Sequence, residues 1–151
     1  SDVVEDAVVF AREAFKVQGF VSASQPEEVA WSHQHDVVCV LSLFSHLPRA
    51  TWTRCLQRIY AMVAPGGVLV FTTHGAEAVR KQGVALDSDG YFFTASSESN
   101  AIDGQEYGTA FTSQAYVRAR IAGHLPGARL LQFAPQHFWH QDAFVVEKPG
   151  A

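Results

Sequence analysis

Little in this sequence points to a membrane or to a disulfide framework. No apolar stretch approaches the roughly 18 residues needed to cross a bilayer, and the N-terminus has no basic region leading into an apolar signal core. Cysteine is scarce. The two present, Cys39 and Cys55, fall in an apolar run and in an amphipathic helix pattern, where a free thiol behaves as a small buried hydrophobe, so no disulfide is expected. Basic charge is scarce as well: 11 Lys and Arg are outnumbered by 15 Asp and Glu, for a net charge of -4. The cations are scattered singly and form no stripe that could track a phosphate backbone. These absences predict a soluble, cytoplasmic protein with no nucleic acid and no membrane as partner. Methionine occurs once, at Met62, and Ser1 runs straight into a helical pattern. Such a start fits either loss of an initiator methionine or a trimmed chain.

With 151 residues, 48% of them hydrophobic, the chain is long enough for one core and too short for two, so residues 1–151 are read as a single domain. Apolar residues at Val4, Ala7, Val8, Ala11, Ala14 and Phe15 recur at helical steps and predict a helix with one buried face, ended by Gly19. Phe20 to Ala23 is a short strand candidate. Val37 to Leu41 is continuously apolar and β-branched, the pattern of a central strand covered on both faces. Trp52, Cys55, Leu56, Ile59, Tyr60 and Val63 form a second helical stripe, closed by Pro65-Gly66-Gly67. Val68 to Phe71 then reads as another buried strand, and strand, helix, strand in that order implies a parallel crossover.

The stretch from Gly75 to Gln105 is less regular. Tyr91-Phe92-Phe93 is its one apolar cluster, and Ser96 to Gly104 reads as an exposed loop. Ser113 can cap a helix that Pro126-Gly127 ends. Arg129 to Phe133 and Ala143 to Glu147 read as an antiparallel closing hairpin with an aromatic, His-rich connection. The expected fold class is α/β, with a parallel centre and an antiparallel C-terminal edge.

Open α/β sheets place ligands at the carboxyl ends of their strands, which makes Ser42, Leu43, Phe44 and His46 candidates after one strand and His74 after the next. The imidazole of His46 can serve as a general base toward a hydroxyl or amine; the alternative is that its ring caps the following helix or packs structurally. His74 is open to the same two readings. His33-x-His35 and His137-x-x-His140 with Asp142 have spacings that can ligate zinc, but they lack a cysteine pair or a His-Glu-x-x-His helix, and no metal is expected.

Several segments carry a family resemblance. Asp36 to Pro48, with Phe44-Ser-His-Leu-Pro48 at its end, and Ala64-Pro-Gly-Gly67 leading into Val68 to Gly75 resemble the fourth strand, following helix and fifth strand of the Rossmann-like (class I, type 11/12-like) S-adenosylmethionine-dependent methyltransferases. The segment from Asp2 to Ala11 is similar to the one after that family's second strand, where an acidic residue accepts hydrogen bonds from the cofactor ribose; the resemblance implies that role for Asp2. A helix-start carboxylate favoured by the helix dipole is the other reading of Asp2. The Ser22-Ala23-Ser24-Gln25 turn is similar to the one after the third strand, where the family contacts adenine; an ordinary polar loop is the other reading of Ser22, Ala23 and Ser24. Tyr107-Gly108, Phe111 to Ser113, and Trp139-His140-Gln141-Asp142 resemble the tail of a subgroup often found beside glycosyltransferases, which implies that Trp139 to Asp142, His140 among them, line an acceptor pocket that His74 joins from its sheet edge; packing in the core or at its rim is the other reading of Trp139.

The resemblance implies S-adenosylmethionine as cofactor, Ser42, Leu43 and Phe44 among its contacts, and methyl transfer to a small-molecule acceptor such as a sugar or glycan. The family's first strand and Gly-x-Gly loop have no counterpart here. That predicts a chain incomplete at its N-terminus, whose exposed sheet edges allow a homodimer. An incomplete, non-catalytic domain that does not bind cofactor by itself is the alternative function. A nicotinamide-dependent oxidoreductase, which also needs a Gly-x-Gly-x-x-Gly turn, ranks last.

Overall fold

A computed structural model describes residues 1–96 and 103–150. The chain divides into two compact units, Ser1–Ser32 and His33–Ala151.

In the first unit, helix α1 (Glu5–Phe15) stops earlier than the apolar pattern predicts, because Lys16 takes the left-handed conformation at φ 55°. Gly19 has a different task from ending the helix. A Cβ there would lie 2.9 Å from Arg12 Cγ and 3.0 Å from Val8 Cγ1, so glycine lets the chain return against α1. The apolar stripe is not the buried face expected of it: Val8 is buried, whereas Phe15 is 68% exposed and meets Phe10 edge-on. The strand predicted at Phe20 to Ala23 is reduced to one parallel bridge between Asp2 and Val21, with Ser22 N donating to Asp2 O at 2.7 Å. Phe20 stacks on Trp31 at 4.7 Å.

The second unit is built on a four-stranded sheet. Its strands are β1 (His35–Val40), β2 (Val63–His74), β5 (Arg129–Phe138) and β6 (Gln141–Glu147), in the spatial order β1-β2-β6-β5. The first pair is parallel, while β6 runs antiparallel to both β2 and β5, as the sequence predicts for a parallel centre with a closing hairpin. β1 is the terminal strand of this sheet, and it departs from the two-sided burial expected of it. Val37 is 61% exposed and Cys39 is exposed rather than buried, while Val38 and Val40 pack on the core. Cys55 is buried as expected.

Between β1 and β2 runs α2 (Arg49–Ala61), which buries Trp52, Cys55, Leu56 and Tyr60. It ends before Pro65 is reached. Pro65-Gly66-Gly67 lies instead within β2, where the register jumps from His35↔Val63 to Val37↔Val68. Gly66 accommodates that bulge at φ 80°, and Gly67 comes so close to β1 that a Cβ would sit 2.7 Å from Asp36 O.

After β2 comes a short helix without a periodic apolar signal, α3 (Ala76–Gln82), closed by Gly83 at φ 63°. Strands β3 (Tyr91–Thr94) and β4 (Thr109–Thr112) form a separate antiparallel pair. The loop expected from Ser96 to Gly104 falls largely on 97–102, outside the described residues. Helix α4 (Gln114–His124) is capped by Ser113, whose side chain accepts from Tyr116 N. Ser113→Ala is expected to cost about 1 kcal/mol, read as a lower urea midpoint at unchanged slope; an unchanged midpoint would show that the cap contributes nothing.

The core of the second unit lies where α2 and α4 meet one face of the sheet. Phe44, Trp52, Leu56, Leu69, Phe71, Val117 and Phe144 are buried there. Among the described residues no helix is long and apolar enough to cross a membrane.

Candidate functional site at the carboxyl edge of the parallel strands

The ends of β1 and β2 meet the beginning of β6 in a closed polar network. Beyond β1, Ser42 occupies the left-handed region at φ 65°, which costs a non-glycine residue on the order of 1 kcal/mol or more. Hydrogen bonds on its N–H, side chain and carbonyl hold it there, Ser42 Oγ donating to Gln141 Oε1 at 3.3 Å among them. Ser42 N donates to Thr72 Oγ1 at 2.9 Å, Gln141 Nε2 donates to Ser42 Oγ at 3.0 Å, and Ser45 Oγ donates to Ser42 O at 2.6 Å. Thr72 Oγ1 in turn donates to Gln141 Oε1. A single 3-10 turn, Leu43–Ser45, follows, with His46 N donating back to Leu43 O at 3.0 Å.

Ser42 and Leu43 are half-buried at this edge. Phe44 points the other way: its ring is fully buried against Trp52 and Phe71, at 4.8 and 4.9 Å between centroids. Its carbonyl accepts from Trp52 Nε1 at 3.1 Å. The side chain of Phe44 thus anchors the turn in the core.

His46 is held twice by Gly108. Gly108 N donates to His46 O at 3.0 Å, and the His46 ring nitrogen Nδ1 lies 2.8 Å from Gly108 O. A carbonyl can only accept, so the hydrogen bond assigns the proton to Nδ1 and leaves the lone pair of the neutral ring on Nε2. The ring also stacks on Tyr107 at 4.6 Å. The packing role and the base role considered for His46 are therefore compatible: one nitrogen and one face are used structurally, and the other nitrogen is the one a base needs. His74, at the end of β2, places its ring 6.1 Å from that of His46 and 5.2 Å from Phe111. Glycine is required at position 108, where a Cβ would lie 2.2 Å from Thr94 O.

Directly after His74, a Cβ on Gly75 would sit 1.8 Å from Asp142 Oδ2. Asp142 is buried and accepts from Gln136 N at 3.0 Å and from Ala76 N at the start of α3. Burial pushes its carboxyl above the ordinary carboxylate value, against the pull of those two backbone donors. At the tip of the β5–β6 hairpin, Trp139 adopts φ 60° and is 86% exposed, and His140 Nδ1 accepts from Lys81 Nζ at 3.1 Å.

In the first unit, the Asp2–Val21 bridge brings Asp2 beside Ser22, with Ala23 and Ser24 next in the chain. Asp2 Oδ1 accepts from Val4 N at 2.9 Å, a helix-start contact of the kind weighed against the ribose role. Among the described residues no group of three or more His, Cys, Asp or Glu is arranged to hold a metal ion. Thr72 and Ser45 carry no signal of their own in the sequence, Tyr107 and Gly108 stand out there only through a subgroup motif, and the Trp139 to Asp142 motif and the zinc spacing do not point to the contacts that Gln141 and Asp142 make here. Hydroxyl and amide side chains acquire a role only through partners the fold supplies.

No family model matches this sequence, and no curated protein matches it. Solved structures do. An S-adenosylmethionine-dependent methyltransferase from Clostridium acetobutylicum matches with a TM-score of 0.63 at 10% identity, over 98% of this chain and 73% of that one. An O-methyltransferase family protein from Burkholderia thailandensis matches with a TM-score of 0.63 at 13% identity, over 97% of this chain and 41% of that one. A SAM-dependent methyltransferase of the DUF858 family from Leishmania major matches with a TM-score of 0.62 at 13% identity, over 97% of this chain and 54% of that one. The chain has the class I methyltransferase fold, and it spans only about half the length of the last two proteins.

Proposed function

We propose that this chain takes part in methyl transfer from S-adenosylmethionine to a small-molecule acceptor, with S-adenosylhomocysteine as the second product. The observation that carries the reading is the carboxyl edge of β1 and β2, where a strained turn at Ser42 and a tautomer-fixed His46 lie at the end of a methyltransferase-type sheet. The chemistry of the edge fits the cofactor. Ser42, Ser45, Thr72 and Gln141 are neutral hydrogen-bonding groups, and the aromatic rings of Tyr107 and Phe111 lie beside His46 and His74 at this edge.

When bound, the cofactor supplies a methyl group already electrophilic on its sulfonium. The protein's share is to position the acceptor, exclude water and take up a proton. In this reading Ser42 and Leu43 contact the cofactor while Phe44 anchors their turn, and His46 Nε2 receives the proton of an acceptor hydroxyl or amine. His74, Trp139 and His140 belong to the acceptor side, with a sugar or glycan as the acceptor class. Asp2 is proposed as the ribose acceptor and Ser22, Ala23 and Ser24 as the adenine contacts.

Calorimetric titration with S-adenosylhomocysteine is the test. Binding in the micromolar range, about 8 kcal/mol, is expected. Absence of binding would instead support the alternative, a methyltransferase-like domain that does not hold cofactor by itself.

A further inference from the structure

We infer that Gln141 is a positioning residue for the Ser42–His46 turn, and that cofactor affinity at this edge depends on its amide; the inference rests on the methyl-transfer reading above. Three strands end here, and Gln141 is the side chain that ties them together. It opens β6 directly opposite His74 of β2, and its amide reaches across to the turn that follows β1. Oε1 accepts from Thr72 Oγ1 and from Ser42 Oγ at 3.3 Å, while Nε2 donates to Ser42 Oγ at 3.0 Å and to Ser45 Oγ at 3.4 Å.

The directions of these bonds close on themselves. Thr72 Oγ1 spends its one proton on Gln141 and its lone pair on Ser42 N. Ser45 Oγ spends its proton on Ser42 O, leaving its oxygen to accept from the amide. Only a side chain that both donates and accepts at this length completes the set, which selects glutamine over glutamate or methionine. Thr72 and Ser45 are buried, so groups left unpaired there find no ready solvent partner.

The network bears on function because Ser42 sits at a positive φ that an unassisted serine rarely holds. Release of the amide frees Ser42 to relax toward extended backbone. The turn carrying Leu43 and leading to His46 would then sample several arrangements, and a ligand would have to select one of them.

The test compares S-adenosylhomocysteine binding by wild type, Gln141→Met and Gln141→Glu, with Ser113→Ala as a control that destabilises the same unit away from this edge. Gln141→Met keeps the length and loses every hydrogen bond. Gln141→Glu keeps the acceptors and loses the donors, and it serves if the methionine variant does not fold. Affinity is expected to fall about tenfold in Gln141→Met, the worth of one to two hydrogen bonds, and less in Gln141→Glu. Ser113→Ala lowers the thermal midpoint and leaves affinity unchanged. Gln141 variants that bind as tightly as a binding wild type would overturn the inference alone. A wild type that does not bind would overturn the methyl-transfer reading and this inference with it. Equal weakening in Ser113→Ala would reduce the effect of Gln141 to general stability, against the inference.

Discussion

Replacing Trp52 by alanine lowers the unfolding free energy by about 3–5 kcal/mol, the largest single loss expected in the chain. The indole is completely buried, with the rings of Phe44, Phe71 and Tyr116 at 4.8, 6.4 and 5.4 Å. Helix α2, strand β2, helix α4 and the turn after β1 therefore share one contact point. Truncation leaves a cavity that none of these elements can collapse into without pulling away from the others, so the upper part of the range applies. Domains of this size are typically stable by about 5–15 kcal/mol, and the variant would retain little margin.

A second effect is local. Trp52 Nε1 donates to Phe44 O, so the variant also strips a donor from a buried carbonyl in the turn that precedes His46. Trp52→Phe separates the two contributions: it keeps most of the ring packing and loses the donor, at an expected cost of about 1–3 kcal/mol. Urea denaturation followed by far-ultraviolet circular dichroism measures both variants. A loss below about 1 kcal/mol for Trp52→Ala would be incompatible with a buried indole at this junction.

Much of this arrangement was legible in the residues, and the exceptions have physical causes. Trp52, Cys55, Leu56 and Tyr60 announce α2 by their spacing, and the alternation of apolar runs with helical stripes announces the parallel pair and the closing hairpin. Ser113 announces its own cap. The failures arise where a local pattern admits two outcomes that only tertiary context separates. Val37 and Cys39 look like central-strand residues because both faces of β1 are apolar, and sequence does not reveal that β1 is the terminal strand of its four-stranded sheet. Pro65 reads as a helix stop, yet the chain has already left the helix at Ala61 and uses Pro65-Gly66-Gly67 for a bulge. Helix α3 is not legible although Ala76 to Gln82 are good helix formers followed by glycine, because seven residues make too few turns for a periodic signal.

Position along a strand was enough to propose Ser42, His46 and His74 as edge residues. It was not enough for their partners, since Gln141 reaches Ser42 across 99 residues and Gly108 reaches His46 across 62. Contacts of that range carry no local periodicity. The composition of the edge is visible in sequence only as unrelated polar residues.

Gly75→Ala is expected to cost about 3 kcal/mol, the second large loss, and its origin is steric alone. The backbone of Gly75, at φ -96°, is open to alanine, but the new methyl would sit 1.8 Å from Asp142 Oδ2 and 2.2 Å from its Cγ. Asp142 cannot swing aside freely, because its carboxylate is buried and accepts from Gln136 N and Ala76 N. The alternatives are to break those bonds or to push α3 away from the end of β2, where His74 lies. A double-mutant cycle decides whether this contact is the cause. Asp142→Ala alone costs about 1–3 kcal/mol through its unpaired backbone donors, and Gly75→Ala added to it should cost almost nothing further, whereas additive losses would place the strain elsewhere. The cycle also carries a pH signature. Burial raises the folded-state pKa of Asp142 above its ordinary value, so the stability it contributes is fully present below the ordinary carboxylate range and is lost as pH rises through the raised value. Asp142→Ala removes that part of the pH dependence; an identical dependence in wild type and variant would mean that Asp142 does not titrate differently in the folded chain.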